Sequence, residues 1–134
     1  MKDMMNNVNI LSKALDGLWL RNKAINQNIS NANTPNYKRL EVNFEDRLKS
    51  ALNDTGLKLK TTHEKHIGAV KSVDEIEPSI QVDRSYAYRF DGNNVDIDVE
   101  AANLAKNAIM YNAVINQITS EFNKIKSVIN EGSR

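Results

Sequence analysis

From Ile97 onward, steps of four and three alternate through Ala101, Leu104, Ala108, Tyr111, Ile115, Ile118, Phe122, Ile125 and Ile129. These positions recur about every 3.5 residues without a polar interruption, the period of a helix that packs against another helix. Neither Pro nor Gly occurs between residue 97 and Gly132. Asp96 or Asp98 can cap the start, and Glu100 suits the positive end of the helix dipole. The spacing predicts one helix over 97–130, roughly 50 Å long.

The other end of the chain repeats the pattern. Val8, Leu11, Leu15, Leu18, Asn22, Ile25, Ile29 and Ala32 follow the same alternation, which predicts a helix over 8–32 of roughly 37 Å. Asn22 is the lone polar member, and a single buried Asn in such a seam fixes register. Gly17 weakens a helix interior by about 0.5–1 kcal/mol relative to Ala. Pro35 is expected to end the helix, because Thr34 before it is pushed out of helical dihedrals. The two seams imply a mainly α fold in which long terminal helices pair as a coiled coil, with Leu15, Leu18 and Ile25 facing Ile115, Ile118 and Phe122.

Between these arms (1–37 and 96–134) the composition shifts. Of the 35 charged residues in 134, 20 fall within 33–95. This middle segment, 38–95, is expected to be short on regular structure. An amphipathic helix is predicted over 41–53, with Phe44, Leu48, Ala51 and Leu52 on one side. Ile80–Val82 and Tyr86–Phe90 read as short strands, Asp91–Asn94 as a turn and 54–78 as a loop. The whole is one structural unit.

One neighbour cannot cover the C-terminal helix. Eleven of the fifteen residues in 101–115 are apolar, and a helix apolar nearly all round must be buried nearly all round. The outward positions of both arms are often amides, such as Asn26, Gln27, Asn112 and Asn116, which are buried at far lower cost than ions. Neighbouring copies or related subunits are therefore expected to supply the missing cover. The plainer alternative is a monomeric bundle with an amide-rich solvated face.

Chemistry is harder to find. His63 and His66 have two residues between them, whereas a zinc helix needs its histidines four apart. Asp91, Asn93, Asp96 and Asp98 miss the calcium-loop pattern, because Val95 and Asp96 occupy its fifth and sixth positions. The formal glycosylation sequon at Asn28 lies inside a helical seam, and a second begins at Asn53. With no cysteine there is no thiolate nucleophile or zinc-thiolate site. No phosphate loop or nucleophile elbow occurs, so no catalytic, cofactor or metal site is expected. A net charge of +1 argues against nucleic acid, and nothing calls for a small-molecule substrate. The longest apolar run is short, so neither a membrane span nor a secretory signal is expected.

One stretch is specific. Asn28-Ile29-Ser30-Asn31-Ala32-Asn33-Thr34-Pro35-Asn36-Tyr37 resembles the N-terminal signature of the bacterial flagellar rod and hook axial proteins, Asn-Ile-x-Asn-x-x-Thr-Pro-Gly-Tyr. Asn36 departs from the usual Gly. That position calls for positive φ, which Asn tolerates better than most residues. A second stretch, Asp91-Gly92-Asn93-Asn94-Val95-Asp96-Ile97-Asp98-Val99-Glu100 running into Asn103-Leu104-Ala105-Lys106-Asn107, is similar to one of the small rod subunits of that family. Physically the first motif reads as a helix stop: Asn28, Asn31 and Asn33 supply amides for terminal carbonyls, Thr34-Pro35 breaks the helix, and Tyr37 anchors the turn.

The resemblance implies a structural subunit of the proximal rod of the flagellar basal body, without cofactor. Its implied partners are copies of itself, other rod proteins, ring and adaptor proteins beneath, and the flagellar type III export apparatus. It implies assembly through Leu11, Leu15, Leu18, Asn22, Ile25 and Ile29 on one arm and the seam from Leu104 to Ile129 on the other. The alternatives are another rod subunit of the family, or a soluble helical adaptor or export chaperone that binds partner helices without joining a filament.

Overall fold

The computed structural model describes residues 2–46, 48–49, 77–85 and 89–131. Helix α1 spans Lys2–Ser30, strand β1 Leu40–Val42, strand β2 Ile80–Val82 and helix α2 Ile97–Glu131. The expected architecture is present: two long helices packed on each other, with two short strands in the middle. Asn28 meets Glu100 and Leu18 meets Asn107, so α1 and α2 run in opposite directions.

Helix α1 starts six residues earlier than the seam predicts, at Lys2 rather than Val8. Nothing in Lys2–Asn7 breaks a helix, and Met4 continues the alternation one step before Val8. The helix also stops earlier, at Ser30, well before Pro35. Its last turn tightens instead, with the Asn31 N–H shared between the Gln27 and Asn28 carbonyls and the Ala32 N–H on the Ile29 carbonyl. Asn36 then adopts φ +59°, as its place in the signature requires.

Strand β1 stands where the sequence pattern predicts the start of a helix over 41–53. The cause is an amide. Asn28 donates to the Leu40 carbonyl at 2.9 Å and accepts from the Leu40 N–H at 2.8 Å, pairing with that residue as a neighbouring strand would. β2 pairs antiparallel on the other side, with Leu40 opposite Val82 and Val42 opposite Ile80. Residues 45–46 and 48–49 are helical, and the Leu48 N–H bonds the Phe44 carbonyl at 2.9 Å. Ala51, Leu52 and residues 54–76 of the loop expected over 54–78 lie outside the described residues. So do 86–88 of the second expected strand, whose remainder, Arg89 and Phe90, forms a bend and turn leading into Asp91.

Leu18, Ala24, Val42 and Phe44 form the core, lined by Ala14, Leu20, Leu40, Met110, Tyr111 and Val114. Gly17, a weak point in the sequence pattern, has a packing reason: an added Cβ would sit 2.5 Å from the Phe44 ring. The ring lies against helix backbone on one side, and the Arg21 guanidinium lies 4.9 Å from its centroid.

Candidate functional site

Two features stand out, a polar clasp at one end of the helix pair and an uncovered apolar stripe along α2. The clasp joins the two stretches that carry the family resemblance. Asn28 and Glu100 are both fully buried, and Asn28 Nδ2 donates to Glu100 Oε2 at 2.8 Å. Arg39 Nε donates to Glu100 Oε1 at 2.7 Å, so the buried carboxylate is neutralised and bonded on both oxygens. Arg39 also pairs with Glu41 and lies 3.7 Å from Asp83. Burial opposes the charge of Arg39, but its bonds to Glu100 and Glu41 outweigh that and raise its pKa. The Tyr37 hydroxyl donates to Asn28 Oδ1 at 3.3 Å. Burial, together with the nearby Glu100 charge, raises the Tyr37 pKa and keeps the phenol neutral.

The end of α1 is closed from across the chain. Asn93, fully buried, donates through Nδ2 to the carbonyls of Asn31, Ala32 and Thr34 at 3.0, 3.1 and 2.9 Å. Arg89 adds a bond to the Ala32 carbonyl at 2.9 Å. Asn94 accepts from the Arg39 N–H at 2.7 Å, and the Asn36 N–H donates to the Asp91 carbonyl at 2.8 Å. Asp96 caps α2, its Oδ1 accepting from the N–H groups of Asp98 and Val99. Of the amides expected to meet the terminal carbonyls, Asn31 does so, whereas Asn28 turns to Leu40 and Glu100. The amide that satisfies most terminal carbonyls, Asn93, comes from the second stretch. Asn31 caps its own helix by donating to the Gln27 carbonyl, Thr34 Oγ1 donates to Asn31 Oδ1, and Asn33 and Pro35 are exposed.

The second feature corrects the expected seam. On α1 and the turn that follows it the seam faces inward: Leu18, Ile25 and Ala32 are buried, and Leu11, Leu15 and Ile29 half-buried. Asn22 does not act as a buried register pin. It is half-buried, and its Oδ1 accepts from Asn26 at 2.7 Å on the exposed side. On α2 only every second expected position turns toward α1, namely Leu104, Tyr111, Ile118 and Ile125, all half-buried. The others, Ile97, Ala101, Ala108, Ile115, Phe122 and Ile129, are exposed, Phe122 at 54% and Ile129 at 59%. Their places toward α1 are taken by Glu100, Asn107, Val114 and Glu121, one step around the helix. The core cluster that holds Leu18 accordingly packs with Met110, Tyr111 and Val114 rather than Ile115 or Phe122. Asn107 Nδ2 bonds the Leu18 carbonyl at 3.0 Å, and Lys124 reaches Glu121 at 2.7 Å.

The physical reason is breadth. A face apolar around so much of α2 does not choose one seam, and polar partners at Asn28, Arg39 and Leu18 draw Glu100 and Asn107 inward. The pattern of apolar residues misses Arg39, Asn93, Asn94 and Glu100 as clasp members. The only signal for them was that most stand in the second resembling stretch.

An open cavity of about 330 Å³ lies between α1, β1 and α2. Its arginines are committed, Arg21 to Glu45 and the Val42 carbonyl, Arg39 to Glu100. Among the described residues no cluster of His, Asp and Glu is arranged to hold a metal ion, and no helix is long and apolar enough to cross a membrane. The arrangement is one of helix packing and caps.

No family model matches the chain. Curated proteins do. A flagellar basal body rod protein FlgB of Borreliella burgdorferi is 34% identical over 134 residues, covering 96% of this chain and 99% of that protein. FlgB of Bacillus subtilis is 34% identical over 122 residues, covering 91% and 92%. FlgB of Aquifex aeolicus is 32% identical over 127 residues, covering 95% of each. Similarity of this extent along the full length of each partner takes in both arms and the clasp that joins them, and the chain belongs to the FlgB family of flagellar basal body rod proteins.

Proposed function

We propose that this chain is a structural subunit of the proximal rod of the bacterial flagellar basal body, with no catalytic role. It assembles helically with copies of itself and other rod proteins, rests on the ring and adaptor proteins beneath, and reaches its place through the flagellar export apparatus. The arms, 1–37 and 96–134, pair through the inward seam of α1 and carry assembly through the outward half of the α2 seam, and strands β1 and β2 brace them. The rod then transmits torque through many buried contacts between subunits.

The uncovered stripe of α2 carries this reading. Ile115, Phe122 and Ile129 face outward while Glu100 and Glu121 are buried, the reverse of what a helix pair made to stand alone in water would do. Burying apolar area is worth about 25 cal/mol per Å², so a neighbour that covers the stripe gains directly. A head-to-tail contact that does not close on itself extends into a helical filament. The clasp holds the ends of α1 and α2 in fixed relation, so that each subunit presents the same stripe at the same angle. Electron microscopy of basal bodies from a strain lacking the chain tests the reading. Basal bodies that end at the ring are expected, and intact rods would overturn it.

A further inference from the structure

We propose that the cavity between α1, β1 and α2 binds a carboxamide on a short alkyl stem, its NH2 group donating to Asn107 Oδ1 and its oxygen accepting from the Val42 N–H. The group is either a free small amide or the side-chain amide of a neighbouring protein. The site stands on the geometry of this chain alone, and only the second source rests on the rod-subunit reading.

The acceptor is on α2. Asn107 lines the cavity and is 2% exposed. Its Nδ2 is spent on the Leu18 carbonyl, and its Oδ1 has no partner among the described residues. Buried amide oxygens are nearly always bonded, because leaving one unmet forfeits its hydration for nothing.

The donor is on β1. The Asp83 N–H bonds the Arg39 carbonyl at 2.8 Å, and Glu41 stands opposite Gln81. In an antiparallel pair, residues that bond across alternate with residues whose N–H and C=O groups turn away. Arg39 and Glu41 therefore face β2, while Leu40 and Val42 turn their backbone groups to the other side. Both groups of Leu40 are met there by Asn28. At Val42 only the carbonyl is met, by Arg21 at 2.8 Å. Val42 is buried and lines the same cavity, and its N–H has no partner among the described residues. A buried N–H left alone is rare, and here it shares one cavity with a lone acceptor.

The surroundings select a neutral group. Arg21 is held by Glu45, and Arg39 by Glu41 and Glu100. The third cation of the lining, Lys106, is exposed. An anion would find both arginines already paired, and a cation would have to approach them. A carboxamide carries no charge and has one donor side and one acceptor side, which matches the two unmet groups. Ala24 and Ile25 on α1 and Met110 on α2 offer apolar walls to its stem. At about 330 Å³ the cavity is in the range of small-ligand sites.

The test is a nuclear magnetic resonance titration of the full isolated chain with propionamide, propionate and propylammonium, which share a stem and differ in charge. Propionamide is expected to shift the Val42 N–H and Asn107 side-chain signals together and saturably, and the two ions to leave both in place. Asn107→Leu should weaken the response at Val42 at least tenfold. Should that variant fail to fold, the paired shifts in the native chain still decide. Signals unmoved by propionamide, or moved alike by all three probes, overturn the site and leave its two groups to water. That failure would not touch the rod-subunit reading, since the titration needs no rod. Lys106→p-benzoylphenylalanine in basal bodies then separates the sources. A photocrosslink to another protein assigns the amide to a neighbour's side chain, and none, with propionamide still bound by the isolated chain, assigns it to a free amide.

Discussion

Asn28 Nδ2 lies 2.8 Å from Glu100 Oε2, across 72 positions of sequence, in a site closed to solvent. The same amide pairs with both backbone groups of Leu40. One side chain thus joins the end of α1, the first strand and the start of α2, and no apolar residue can replace it.

Asn28→Leu therefore removes a partner from the Leu40 N–H and from one Glu100 oxygen together. Each buried polar group left unmet costs about 1–3 kcal/mol, so a loss of about 3 kcal/mol is expected by urea unfolding of the isolated chain. A loss below about 1 kcal/mol, the net worth of an ordinary hydrogen bond, would show that the clasp does not hold the helix ends.

Arg39 is the only cation bonded to Glu100 among the described residues. Breaking a buried ion pair from one side costs about 3–5 kcal/mol, because it strands the other charge. Arg39→Met should fall in that range. Adding Glu100→Gln should recover part of the loss, since no charge is then left alone. If the double variant is no better than the single, the stranded charge is not the cause.

Gly17→Ala sets two effects against each other. Helix propensity favours Ala by about 1 kcal/mol. The added methyl would meet the Phe44 ring at 2.5 Å, and crowding a packed site costs about 1–3 kcal/mol. Destabilisation is expected to win. In a Phe44→Leu background the sign should reverse, which a thermal unfolding series would show directly.

The limits of sequence reading follow from the same contacts. A 3.5-residue repeat locates both helices and half of the α2 seam. It cannot say which side of a broadly apolar helix faces inward, and Ile115 and Phe122 turned out while Glu100 and Asn107 turned in. Positive φ at Asn36 was legible because the backbone demand is local. The strand at Leu40–Val42 was not, because it depends on Asn28 and Ile80–Val82, both distant in sequence. Asn93 was hidden for the same reason: a cap supplied from 61 residues away leaves no local spacing to detect.

Glu45 gives the fold an acid dependence. Burial raises its pKa, but the hydrogen bond from Arg21 and the bonds to backbone N–H groups outweigh that and hold it below the ordinary 4.5. A depressed carboxylate contributes stability that is present above its unfolded pKa and lost as pH falls through its folded value. The chain should therefore lose stability on acidification below about pH 4.5, and Glu45→Gln should flatten that part of the profile. An identical profile in the variant would assign the dependence to other groups. Asp83, also held low by its bonds to Ser85 and by Arg39, is the first to test in that case.

Phe122 and Ile118 separate folding from assembly. Phe122 is half exposed on the outer stripe, while Ile118 is half-buried toward α1. Phe122→Asp should leave the stability of the isolated chain within about 0.5 kcal/mol, as exposed substitutions do. Yet it places a carboxylate where a neighbour needs apolar contact, so rods and swimming should both be lost while export of the chain continues. Ile118→Asp should abolish rods as well, but with a clear fall in the unfolding temperature, because it also damages the packing of α2 on α1. Normal swimming with Phe122→Asp would mean the uncovered stripe is not an assembly surface. Loss of folding in that variant would mean that α2 packs on α1 through the stripe and not through Leu104, Tyr111 and Ile118.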